Sequence, residues 1–175
     1  MLLLSESILN RPVMSLRTGG TIATSTGIIL NPDNLKIEGL YCSDKESKKD
    51  LVLLFQDIRN IVSKGIVVND HEALSSPDIL VRLKKLLEIN YQLLGKNVVT
   101  VSKSRVGKVK DFALEAETFY IQKLYVTKSL VTNIMGEQLS VDRSQIVEIT
   151  DKNIVIQDLN NTGRVGAAAS TVIPT

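Results

Sequence analysis

The chain carries its own pattern twice. Laying residues 22–41 over residues 106–125, an offset of 84, pairs Leu30 with Leu114, Ile37 with Ile121, Leu40 with Leu124 and Tyr41 with Tyr125. Upstream, at an offset of 85, Ile8-Leu9 faces Leu93-Leu94 and Val13 faces Val98. Downstream, residues 58–68 fall on 146–156 at an offset of 88, where Ile58/Ile146, Ile61/Ile149, Lys64/Lys152, Ile66/Ile154 and Val67/Val155 are identical. Solenoid units are about 20 to 50 residues long, so a period this long predicts two copies of a small domain, not a stacked array.

Each copy reads as short strands joined by turns. In the first, Val13 to Leu16 is a strand, Arg17-Thr18-Gly19-Gly20 a glycine turn and Ile22 to Leu30 a second strand. Asn31-Pro32-Asp33-Asn34 then turns the chain, because Pro32 fixes φ and Asn and Asp tolerate left-handed backbone. Leu35, Ile37 and Gly39 alternate with Lys36 and Glu38 on the return; Leu51 to Phe55, Ile58 to Val62 and Ile66 to Val68 complete the copy. The second copy repeats the order with Asn97 to Val101, Val106 to Leu114, Phe119 to Thr127, Leu139 to Val141, Ile146 to Ile149 and Ile154 to Ile156. Strands so short and closely spaced predict a small, curved antiparallel barrel. Val109, Phe112 and Leu114 break strict alternation, which predicts a β-bulge at Lys110 or Asp111 that restores the inward face.

Between the copies, Ser76 is a candidate N-cap, Pro77 takes the favoured first position and Asp78 complements the helix dipole. Leu80, Leu83 and Leu87 recur at helical spacing, so the segment is expected to be a helix that packs as a strap or interface. The domain plan is a first barrel over 1–75, a connecting helix over 76–90, a second barrel over 91–158 and a disordered tail over 159–175.

Composition narrows the function. A formal net charge of +2 implies no polyanion partner through bulk charge. The longest strongly apolar run, Leu51 to Phe55, is far short of the ~20 residues of a membrane helix. Met1 to Leu4 is followed at once by Ser5 and Glu6, with no signal-peptide pattern, so a cytoplasmic location is expected. Cys42 and His71 are the sole members of their types, which excludes an intrachain disulfide and Cys-rich or multi-His zinc sites. No metal, cofactor or catalytic residue is expected.

The second copy, Leu94-Gly95-Lys96-Asn97-Val98-Val99 followed by Val106-Gly107-Lys108-Val109-Lys110-Asp111-Phe112, resembles the PRC-barrel family, as does its close, Ile146-Val147-Glu148-Ile149 and Ile154-Val155-Ile156. That family includes the photosynthetic reaction-centre H subunit and the C-terminal half of a ribosome-maturation factor. The first copy departs from the pattern: Asn10 replaces the glycine, and Ala23 to Gly27 replaces the Gly-Lys-Val-x-Asp string. The resemblance implies a mainly β protein of two tandem PRC-type barrels that acts as a non-enzymatic binding or assembly module.

Thr18-Gly19-Gly20-Thr21-Ile22-Ala23 resembles the N-terminal signature of L-asparaginases, but their His-Gly-Thr-Asp-Thr string is absent, and the segment falls where a hairpin turn is required. His71-Glu72 continues to no second histidine, so the helix-borne zinc pattern fails and a solvated loop is expected. Cys42 is expected to be a small buried hydrophobe. Lys96, Lys103, Arg105, Lys108 and Lys110 form a basic run with no intervening acid, which reads as a solvated hairpin or as a phosphate-contacting ridge. The preferred expectation is a protein partner or self-association, with RNA or ribosome-assembly association through 96–110 as the alternative.

Overall fold

The computed structural model describes residues 1–128 and 138–159. Those residues are mainly β, with two sheets and one α-helix among them, as the pattern predicts. The strands are β1 (Leu2–Leu4), β2 (Pro12–Ser15), β3 (Thr21–Asn31), β4 (Lys36–Asp44), β5 (Asp50–Leu54), β6 (Ile58–Val62), β7 (Gly65–Val68) and β8 (Leu74–Ser75). After helix α1 (Lys84–Ile89) come β9 (Asn97–Thr100), β10 (Arg105–Glu115), β11 (Ile121–Lys128), β12 (Gln138–Asp142), β13 (Ile146–Ile149) and β14 (Asn153–Ile156). The expected disordered tail over 159–175 lies outside the described residues, apart from Leu159.

The first sheet runs β6-β7-β2-β3-β4-β5-β8 and the second β13-β14-β9-β10-β11-β12. In both, the hairpin strands are antiparallel and one pair is parallel, Val13 opposite Ile66 in the first and Val98 opposite Ile154 in the second. The irregularities also correspond. The bulge between Ser25 and Gly27 answers that between Val109 and Asp111, where Lys110 is the extra residue as expected. The shifts between Ile58 and Asn60 and between Ile146 and Glu148 match as well. Each bulge shifts the register by one residue, which keeps apolar side chains on the buried face of the sheet. The Asn31 turn forms as its composition predicts, with Asn31 Oδ1 accepting the Asp33 N–H at 3.0 Å.

Two expectations need correction. Leu2–Leu4 does not serve the first sheet; β1 adds to β10 of the second, with Leu3 opposite Leu114. The connecting segment over 76–90 is α-helical only at Lys84–Ile89, preceded by two 3-10 turns at Pro77–Ile79 and Val81–Leu83. Ser76 makes no side-chain cap bond, Leu80 leaves the helical region at φ −89° and ψ 66°, and the β-branched Ile79 and Val81 are 68% and 78% exposed. With poor propensity and little burial to offset it, the apolar periodicity alone does not nucleate a helix there.

The two sheets share one core. Ile8, Val13, Leu30, Ile37 and Leu40 belong to the same buried cluster as Val98, Phe112, Leu114 and Leu124. At the junction the Ile37 N–H donates to the Phe119 carbonyl and the Ile121 N–H to the Leu35 carbonyl, both at 2.9 Å. These contacts are related by the same offset of 84, so Lys36 lies opposite its own counterpart, Tyr120. Leu35 and Phe119 are buried at φ 58° and 59°, a left-handed backbone that costs bulky residues energy and is held here by those bonds. Around them the Phe55 and Phe119 rings lie 5.7 Å apart, and Lys36 and Arg143 cover the Phe55 and Tyr120 rings at 4.1 and 4.7 Å.

Candidate functional site

The basic run is not one continuous ridge. Lys96 Nζ donates to the Asp151 carbonyl at 2.8 Å and covers the Tyr91 ring at 4.5 Å, so it is withdrawn from the others. Lys103, Arg105, Lys108 and Lys110 are exposed, and no acid among the described residues pairs with them. Asp111, their nearest acid in sequence, accepts from the Ser5 hydroxyl and from the Phe112 N–H. On the neighbouring strand, Thr127 stands opposite Lys108 and Tyr125 opposite Asp111. The sequence marks Tyr125 only as the counterpart of Tyr41; its place on the strand beside the basic residues was not legible, because cross-strand neighbours are distant in sequence.

The connecting leucines divide. Leu83 borders a groove beside Pro32 and Phe55 of the first sheet, whereas Leu80 lies with Val81 and Lys84 in a groove formed within the connecting segment itself. Leu87 also borders a second opening, a cleft of about 610 Å³ walled by Thr26, Gly27, Ile28 and Tyr41 on one side and by Asn90 to Leu94 on the other. Burial raises the Tyr41 phenol above its ordinary range. All three leucines are half-buried.

His71 is not simply solvated. Its Nε2 lies 2.6 Å from Asp44 Oδ1, while Asp44 Oδ2 accepts from the Ser47 hydroxyl at 2.7 Å and the Ser47 N–H at 2.8 Å. A hydrolytic triad needs histidine between serine and acid. Here the acid stands in the middle, and the Ser47 hydroxyl is turned to the carboxylate, so the group clasps the β4–β5 loop to the turn at His71–Ala73. The bonds from Ser47 and His71 hold the Asp44 carboxyl well below the ordinary carboxylate range. A depressed folded-state pKa contributes stability above the unfolded value of about 3.9 that disappears as pH falls through the folded value. Urea midpoints should therefore fall more steeply below about pH 4 for the wild type than for Asp44→Asn; parallel profiles would remove the clasp's contribution.

The Thr18 hydroxyl accepts the Gly20 N–H at 3.4 Å inside the β2–β3 turn, where Gly19 has φ 71°. Cys42 is fully buried and its thiol is pushed up to about 12 by desolvation. Among the described residues no helix is long and apolar enough to cross a membrane. Compared with known proteins, the sequence matches no family model and no curated relative.

Proposed function

We propose that the chain is a tandem PRC-barrel protein, each sheet curling into a small closed barrel, and that it works without catalysis as a protein-binding or self-assembling module in the cytoplasm. The observation that carries this reading is the paired architecture: two sheets with six strands in corresponding order, one parallel pair in each and matching bulges, joined by a segment that leaves Ile79 and Val81 in solvent beside half-buried leucines. Exposed apolar side chains grouped on one segment are the feature expected of a contact surface.

RNA association is the second reading, favoured by the exposed Lys103, Arg105, Lys108 and Lys110 on the strand that pairs with that of Tyr125. The two make opposite predictions. An apolar contact survives salt, whereas phosphate contacts lose affinity steeply as salt rises. Sedimentation and pull-down, with and without nuclease, should show association weakened in Leu83→Asp with Leu87→Asp and retained in Lys108→Glu with Lys110→Glu. Loss in the lysine variant alone, or only at high salt, selects RNA.

A further inference from the structure

The segments that precede the two sheets are placed alike, but one of them leaves a space. At the offset of 85, Asn90 to Leu94 corresponds to Ser5 to Leu9; at the offset of 84, Gly27 corresponds to Asp111. On the second sheet Ser5 closes onto β10, donating its N–H and hydroxyl to Asp111 Oδ1. On the first sheet the residue in that place is Gly27, which has no side chain for Asn90 to meet. The Tyr41 ring lies against the bare backbone there, so close that a Cβ on Gly27 would stand 3.3 Å from Tyr41 Cδ2. Gly27 and Tyr41 both line a cleft of about 610 Å³, within the size range of small-molecule sites.

The wall of this cleft selects a ligand chemistry. Among the described residues that line it, Asp50 is the only charged one; the rest of the wall is mostly Leu, Ile and Tyr. Its carboxylate, the Tyr41 hydroxyl and the Thr26 hydroxyl have no hydrogen-bond or ion-pair partner among the described residues. Lys49, next to Asp50, does not line the cleft. An anion would meet like charge and no donor cation, whereas an ammonium would meet the one carboxylate of the wall. The geometry points to a site for a small organic amine, its apolar body between Tyr41 and Leu94 and its ammonium at Asp50. This site does not rest on the protein-binding role proposed above, although Leu87 borders both surfaces.

The probes are phenethylamine, phenylacetate and 2-phenylethanol, titrated into the full chain and followed by amide chemical shifts. Phenethylamine should shift the amides of Gly27, Tyr41, Asn90 and Gln92 with a Kd of about 1 to 10 mM, as expected for a molecule so small. Phenylacetate should leave them unmoved, and 2-phenylethanol should bind at least about five-fold more weakly than the amine. Asp50→Asn should weaken the amine by at least about five-fold, and Asp50→Lys should reverse the preference to phenylacetate. Asp50 is exposed, so both variants should keep the wild-type amide spectrum away from the cleft. Absence of amine binding, equal affinity for the three probes, or an unchanged preference in Asp50→Lys would overturn the assignment.

Discussion

Ile121→Ala should destabilise the protein by about 2 to 5 kcal/mol, and Ile37→Ala by a similar amount. Both side chains are fully buried, and their backbone N–H groups donate two of the hydrogen bonds that join the sheets. Removing three carbons there loses transfer free energy and leaves a cavity that the surrounding backbone cannot close without breaking those bonds. The shared core adds a second expectation. If the sheets were independent, Ile37→Ala would lower one unfolding step and Ile121→Ala another. Because Ile37 and Ile121 belong to one cluster that spans both sheets, each variant should shift the same single transition. Urea unfolding read by amide signals from β3 and from β10 would check it: coincident curves in both variants support a single cooperative unit, and separate midpoints would mean that the junction transmits little. A change within about ±0.5 kcal/mol would be the value for a surface site and would contradict the burial.

What the sequence made legible was the part that follows local rules. Alternation located the strands, and its failure at Val109, Phe112 and Leu114 located the extra residue at Lys110. Asn10 stands where the second half has Gly95, and the two share left-handed backbone at φ 55° and 82°, so an apparent departure in sequence preserves the turn. The connecting segment misled because periodicity reports an apolar stripe and says nothing about whether a surface waits to bury it. β1 was missed for a different reason: three leucines carry no local sign of the strand they will join, and their partner lies more than a hundred residues away. The same distance hid the Asp44–His71 clasp and the Tyr125 beside the basic side chains. The cleft was illegible because its walls, Thr26 to Ile28 with Tyr41 and Asn90 to Leu94, come from segments about fifty or more residues apart.

Gly107→Ala should be among the most disruptive single methyl additions in the chain, costing about 3 kcal/mol or more. A Cβ at this position would lie 1.9 Å from the Thr127 carbonyl oxygen and 2.8 Å from its carbon, so the obstacle is the backbone of β11, which cannot rotate aside. The first sheet shows what relief would require. At the matching place it has Ala23, fully buried and opposite Asp44, where β3 and β4 accommodate the methyl group. For Gly107 to become alanine, β10 and β11 must part near the Gly107–Lys128 pair, weakening neighbouring ladder bonds and disturbing the packing of Val106 and Val109. Gly95→Ala is the control. Gly95 has φ 82° but nothing within 4 Å of its Cβ position, so alanine there meets only the left-handed backbone penalty of about 1 to 2 kcal/mol. Denaturant midpoints should rank the two variants in that order. Hydrogen exchange should also separate them, with faster exchange at Thr127 and Lys128 in Gly107→Ala but not in Gly95→Ala. Equal stability losses, or unchanged exchange along β11, would mean that β10 and β11 lie farther apart than their register requires.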